Sequence, residues 1–228
     1  MVGFLYFMPQ AEVEAHINNL SSEDIKRYTD YWKTITPTTH RQVWDRWAFA
    51  FLSVHTSWQA NLRAYKNLIK ADYDKLSERD YLRQIIVNSR VGLDKMRTEG
   101  IGRFKETFWK DPAFWYKKDN ESWSDYRERT MELCYGLGYA KTSFAIELCY
   151  PTTCELTCLD THMLQLYGVK SSPSPSPSKY KELEKHWINK CKEKEYPSFQ
   201  VRNVYWDKVQ DQKDTRYWSS VFEENICT

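Results

Sequence analysis

Residues 133–167 read LCYGLGYAKTSFAIELCYPTTCELTCLDTHMLQLY, and the fold turns on this stretch. Apolar spacing predicts a helix from Ser122 to Tyr135 that halts at Gly136-Leu137-Gly138, and a second from about Ala140 to Cys149, stopped by Pro151. Residues 152–158 have no periodicity and read as a loop, after which Asp160-Thr161-His162 opens a short helix ending near Gly168. A Gly-x-Gly turn between helices presents consecutive backbone N–H groups at a helix start, a sequence-independent way to hold a phosphate. A plain interhelical turn has the same sequence, so the glycines alone leave both readings open. Asp160 likewise suits the N-cap of the helix behind it. One carboxylate can cap and do chemistry.

Working outward, Ala11 to about Thr34 is helical in pattern, with Ser21-Ser22-Glu23-Asp24 offering a cap and an acidic first turn. Ile35 to Thr39 is a connector. Val43 to Leu68 carries two apolar helical runs broken by Ser53-Val54-His55-Thr56-Ser57, a polar turn facing something other than the core. Ser77-Glu78-Arg79-Asp80 opens a helix toward Val87. Val91 to Phe108 holds another, with Gly100 and Gly102 as turn or close-approach points, and Asp111 to Glu121 is irregular and aromatic. Downstream, Ser171 to Ser178 contains Pro173, Pro175 and Pro177 and reads as an extended linker. A charged helix is expected from Tyr180 to Lys194 and an aromatic one from Asn203 to Phe222. Those aromatics need cover, so this last segment is expected to pack back on an earlier lobe.

Composition narrows the class. The 228 residues include 10 Trp, 16 Tyr and 10 Phe against 7 Gly and 8 Pro, which disfavours both disorder and a turn-rich all-β sandwich. Charged residues make up 28% and mean hydropathy is -0.74, with no run near the roughly 18 apolar residues a membrane span needs. Net charge is +2, so any polyanion site must be local. Six cysteines, at 134, 149, 154, 158, 191 and 227, lack paired spacing, and no basic-then-apolar leader pattern opens the chain. A reduced, intracellular protein with free thiols is expected. Cys149, Cys154 and Cys158 have no fourth ligand at a zinc spacing, so neither metal nor cofactor is expected.

Taken together, the hairpin and the later Leu-Asp-Thr-His resemble the helix-hairpin-helix DNA glycosylase superfamily. Its members follow a hydrophobic-Gly-hydrophobic-Gly hairpin and its second helix with a loop ending in Val-Asp-Thr-His or a close variant. Trp47 to Thr56, WAFAFLSVHT, is similar to the family's Leu-Leu-Ser-x-Gln segment, with His55 at the Gln position. The matches keep the family order over roughly residues 43–168. The resemblance implies an all-α fold of two helical lobes with a cleft between them. It divides the chain into a core over 1–170 with its hairpin at 133–149, a Ser/Pro linker at 171–178, and a helical segment at 179–228. It further implies that Gly136, Leu137, Gly138, Tyr139 and Ala140 grip the DNA backbone, that Asp160 is the catalytic carboxylate, and that His55 wedges into the gap left by a flipped base. His162 stands either on the DNA side beside Asp160 or as a packing residue of its helix.

The sequence also departs from the family pattern. Tyr135 stands where Pro often precedes the first Gly, and the C-terminal four-Cys iron–sulfur motif is absent. Bifunctional members carry a lyase Lys two residues after the second Gly, a position held here by Ala140, with Lys141 one step on. One step turns a helical side chain by about 100°. Gly138 to Asp160 spans 22 positions, slightly longer than usual, which leaves room for an extra hairpin residue that would restore Lys141. Gly-x-Gly-x-x-Lys with Cys-Leu-Asp-Thr-His is similar to phage-encoded members.

In that chemistry, breaking an N-glycosidic bond builds positive charge on the sugar, and a nearby carboxylate stabilises it most in the transition state. Lys141 would act only as a neutral amine, forming a Schiff base at C1′ and giving AP-lyase activity; otherwise water attacks. The target nucleotide must leave the duplex for a pocket that stacks on aromatics. The expected partner is double-stranded DNA with a damaged or modified base, met by a monomer in the cytoplasm or nucleoid, including that of a virus-infected host, with no membrane involved. Two alternatives stay open: a viral enzyme that modifies a pyrimidine in DNA on the same fold, and a non-catalytic DNA-binding module.

Overall fold

Ser21, Thr39, Ser57 and Ser122 each follow a break in apolar periodicity, and each accepts a hydrogen bond from the backbone N–H three residues on, closing a first helical turn. The computed structural model describes residues 10–212 and 215–222. Among these the chain forms twelve α-helices and no strand. They are α1 (Gln10–Asn18), α2 (Ser22–Thr34), α3 (His40–Leu52), α4 (Trp58–Lys70), α5 (Arg79–Asn88), α6 (Asp94–Lys110), α7 (Trp123–Met131), α8 (Tyr139–Cys149), α9 (Thr161–Leu166), α10 (Pro177–Glu193), α11 (Ser198–Val209) and α12 (Ser219–Phe222). Short 3-10 turns occupy Asp74–Ser77, Pro112–Trp115 and Thr215–Trp218. No helix is long and apolar enough to cross a membrane among the described residues.

The helices build two lobes. In the first, α3 is apolar on nearly every side and is wrapped by α4, α6 and α8. Its core joins Trp44, Trp47, Phe49 and Phe51 to Phe104, Trp115 and Phe144, then takes Trp218, Val221 and Phe222 from the far end of the chain. The second lobe packs Val13 and Ile17 of α1 and Ile25 of α2 against Met163 and Leu164 of α9, Leu183 and Trp187 of α10, and Val201 of α11. Ala140, in the first turn of α8, touches both cores. The cleft between the lobes is therefore floored by the hairpin.

Several elements differ from their sequence-based expectations. The stretch Ala11 to Thr34 divides into α1 and α2 at the Ser21 cap. α6 runs unbroken through Gly100 and Gly102, so neither is a turn. Gly100 is a close approach: a Cβ there would lie 2.6 Å from the Tyr135 carbonyl oxygen, so α6 supports the hairpin directly. α7 stops at Met131, and residues 132–138 form the turn, where Gly136 takes a φ of 87°.

The helix expected from Asn203 to Phe222 is instead three elements. α11 starts earlier, at Ser198, and ends at Val209, and Asp211 turns the chain with a φ of 52°. A straight helix of twenty residues would be about 30 Å long. It would carry Trp218 and Phe222 past the first lobe, where the broken chain buries them.

Candidate active site

Three segments meet at the cleft. The first is the α3–α4 loop, whose sequence breaks the apolar run at Ser53. It is fixed from behind by Arg97 of α6, a side chain 1% exposed, whose guanidinium donates to the carbonyls of Leu52 (3.3 Å) and Val54. Held this way, the loop presents His55 at φ 44°, exposed, on the wall of the cleft. A non-glycine residue in that region is uncommon and persists only where its surroundings impose it.

The second segment is the hairpin and the start of α8. Gly138 is the N-cap residue, and no side chain caps the helix. Gly136, Gly138, Tyr139, Ala140 and Lys141 line the cleft, while Leu137 is turned into the first core. The Tyr139 ring packs under Arg127 and Tyr180, so it is the backbone of this turn that is presented.

The third segment is the loop ahead of Asp160. Residues 154 and 156–159 are buried, so their backbone polar groups need protein partners. Tyr180 of α10 donates to the Thr157 carbonyl (2.6 Å) and accepts from the Leu159 N–H (3.1 Å). Glu184, also of α10, accepts from the Thr157 N–H (2.9 Å) and pairs with the buried Arg127 at 2.6 Å. Ser198 donates to the Leu156 carbonyl at 3.1 Å, and Gln200 to that of Pro151 at 2.8 Å. Glu147 of α8 pairs with Arg202 of α11, both buried, and takes a further hydrogen bond from the Cys158 backbone. Burial pushes the Glu147 carboxyl up to about 7 against the pull of Arg202, and it pushes the Cys158 thiol up to about 12, so Cys158 stays protonated.

This support delivers Asp160 in a defined pose. Its Oδ1 accepts from the N–H groups of His162 and Met163, both at 3.1 Å, capping α9, while Oδ2 makes no hydrogen bond among the described residues. Asp160 stands where the cleft, about 460 Å³, opens into a narrower recess of about 50 Å³. Ser53, Thr56, Lys141 and Trp206 border both spaces, and Phe49, Trp58, Phe144 and Trp218 wall the recess. The Lys141 Nζ lies 5.5 Å from the centroid of the Phe144 ring, and the side chain forms no ion pair among the described residues. His162 faces the cleft and meets Trp206 edge-on at 5.3 Å.

The sequence-predicted residues Gly136, Gly138, Tyr139, Ala140, Lys141, His55, Asp160 and His162 thus line one cleft. Sequence reasoning missed the residues that hold them there, Arg97, Glu147, Glu184 and Arg202. A charge inside a buried apolar run, as in Phe-Ala-Ile-Glu-Leu-Cys, was the available signal. Five cysteines are free and buried, and no group of His, Cys, Asp or Glu suited to a metal occurs among the described residues; Cys227 lies outside them.

No protein-family model and no curated protein sequence matches the chain. Among solved structures, it is similar to the crystal structure of the 8-oxoguanine DNA glycosylase of Thermotoga maritima, with a TM-score of 0.65 and 14% identity, over 90% of this chain and 94% of that one. The two chains share one all-helical fold. The likeness extends over most of both chains.

Proposed function

We propose that the protein is a DNA glycosylase that cleaves the N-glycosidic bond of a damaged or modified base in double-stranded DNA. The observation that carries this reading is the pose of Asp160: one oxygen fixed by two backbone N–H groups, the other unbonded, at the junction of an open cleft and an aromatic recess. The open backbone from Gly136 to Ala140 takes a phosphate, and the nucleotide beside it rotates out of the stack. The edge of its base enters the recess, whose aromatic walls must part to take the rest of the ring, and its sugar stops at the mouth. There the C1′–N bond breaks, the bonding pair leaves with the base, and Asp160 stabilises the positive charge left on the sugar. Water adds to C1′ and gives up its proton, which balances the protonation of the departing base. His55 fills the gap left in the duplex, with His162 beside Asp160 against the flipped nucleotide.

A second reading is favoured by the position of Lys141, which lines recess and cleft together with Asp160 and has no ion-pair partner among the described residues. Its amine attacks C1′ in place of water and gives up a proton as the base departs; opening of the C1′–O4′ bond then forms a Schiff base, from which elimination of the 3′ phosphate cleaves the strand.

Duplexes carrying a panel of damaged and modified bases, 8-oxoguanine among them, test the reading by release of free base and by alkali-labile sites. Release slowed at least roughly a hundredfold in Asp160→Asn is expected; release at the wild-type rate refutes the role of Asp160. Borohydride trapping should give a protein–DNA adduct that Lys141→Ala abolishes. A new mass on the base without its loss would instead mark base modification, and intact DNA with hairpin-dependent binding would mark a binding module.

A further inference from the structure

Two side chains in the recess have no part in the mechanism above. Asn61 of α4 and Asn203 of α11 enter from opposite lobes of the cleft wall, are 2% and 1% exposed, and both line the recess. Neither carboxamide makes a hydrogen bond among the described residues; the Asn61 Oδ1 and the Asn203 Nδ2 are buried without a partner. The Trp218 Nε1 beside them is likewise buried without a partner, while several other polar groups nearby are occupied. Ser53 donates to the Ala50 carbonyl, Ser57 caps α4, and Arg202 is held by Glu147. A buried amide without partners costs stability, and such groups in folded proteins are nearly always satisfied. Two of them in one small recess, between Trp58, Phe144 and Trp218, imply partners that arrive from outside.

We infer that Asn61 and Asn203 are the specificity-determining residues that read the hydrogen-bonding edge of the flipped base. This rests on the proposed base-flipping function and names what its recess selects: a neutral heterocycle with adjacent donor and acceptor groups. Each carboxamide offers one acceptor and two donors side by side, the complement of an N–H next to a C=O or ring nitrogen on a base edge. The aromatic walls supply stacking that every base satisfies equally, so discrimination falls to the amides. An apolar ring of the same shape would leave both buried amides unpaired, and that is the arrangement by which a site rejects an analogue most strongly.

The test uses the full chain with its asparagines labelled with nitrogen-15. Side-chain amide signals of Asn61 and Asn203 are assigned from Asn61→Leu and Asn203→Leu. Because each variant removes an unsatisfied buried amide, both should unfold at or above the wild-type temperature, which separates recognition from folding. The protein is titrated with duplexes bearing an uncleavable 2′-fluoro nucleotide opposite an abasic site, the base being thymine or guanine, each against its apolar shape mimic. The inference expects both carboxamide signals to move with at least one natural base and with neither mimic. It expects that base to bind at least tenfold tighter than its mimic, and each Leu variant to lose the preference. Backbone shifts at the start of α8 with carboxamides unmoved by either base would overturn the inference and leave DNA binding standing. No shift anywhere would overturn the DNA reading itself. A Leu variant that melts well below wild type would assign that asparagine to the fold, and the other variant would carry the test alone.

Discussion

Two helix starts point into the same cleft and are finished in opposite ways. α8 begins at Gly138 with no side-chain cap, whereas α9 begins at Asp160, whose Oδ1 already satisfies two of its N–H groups. A helix start carries partial positive charge and open donors. At α9 the protein has supplied the anion itself and so fixed a carboxylate in place; at α8 no side chain takes the donors. Their surroundings differ in the same sense. The chain leading to Asp160 is buried and tied to α8, α10 and α11, while the turn leading to Gly138 is largely exposed and is supported mainly through Gly100 and Leu137. The first start holds a charge still; the second is left open, which is what the proposed phosphate contact needs.

The largest expected effect separates charge from cap at α9. Asn caps a helix about as well as Asp, so Asp160→Asn should leave the melting temperature nearly unchanged. Loss of the charge should slow single-turnover base release by roughly 10²–10³-fold, about 3–4 kcal/mol of barrier, the usual cost of removing one preorganised electrostatic group. Equal losses of stability and rate would mean that the carboxylate serves the fold.

Next comes the support behind Asp160. Burial raises the folded Glu147 pKa from 4.5 to about 7, so the unfolded chain loses that proton first. Stability from this group is full below about pH 4.5, falls as pH rises to about 7, and then levels off because the ionised carboxylate keeps Arg202. Arg202→Met removes the partner. The carboxyl must then stay protonated, and the decline should continue above pH 7 at up to about 1.4 kcal/mol per pH unit. Denaturant midpoints of the two proteins at pH 6, 7, 8 and 9 measure this; parallel curves would show that the pair does not govern Glu147.

A smaller effect is expected at the hairpin. Gly136 has a φ of 87°, and a Cβ there would lie 2.8 Å from the Met96 Cγ. Gly136→Ala should cost at least roughly 1–2 kcal/mol, the penalty of a non-glycine residue in the left-handed region, read as a lower melting temperature.

The legible parts of the molecule are those written locally. The cap at Ser21, the helix start at Ser122, the two hairpin glycines and the Ser53–Ser57 break act within four residues, and each is visible in the chain. The anchoring of Asp160 was not, because Glu147 and Arg202 are 55 residues apart and Arg127 and Glu184 are 57. Nothing local says which buried charge meets which. The C-terminal helix was overextended for a related reason: aromatic spacing runs on through Tyr217 and Phe222, and only tertiary contact with Phe49 and Trp32 decides where the chain breaks. Lys141 was ambiguous by one helical step, and only the path of residues 132–138 could place it.

The smallest change in stability carries the sharpest test of the comparison. Gly138 has a φ of -105°, and nothing lies within 4 Å of where its Cβ would stand, so neither backbone nor packing requires glycine there. Alanine restricts the unfolded chain but is a poorer N-cap than glycine, and the two effects oppose each other, so Gly138→Ala should stay within roughly 1 kcal/mol of wild type. If the α8 start takes a phosphate by close backbone approach, the added methyl stands between them, and duplex affinity at fixed salt should fall by about tenfold, roughly 1.4 kcal/mol. Gly136→Ala alters fold and binding together, whereas Gly138→Ala should alter binding alone. Unchanged affinity in fluorescence anisotropy would make Gly138 an ordinary turn residue, and the open end of α8 would then be no more than an uncapped helix.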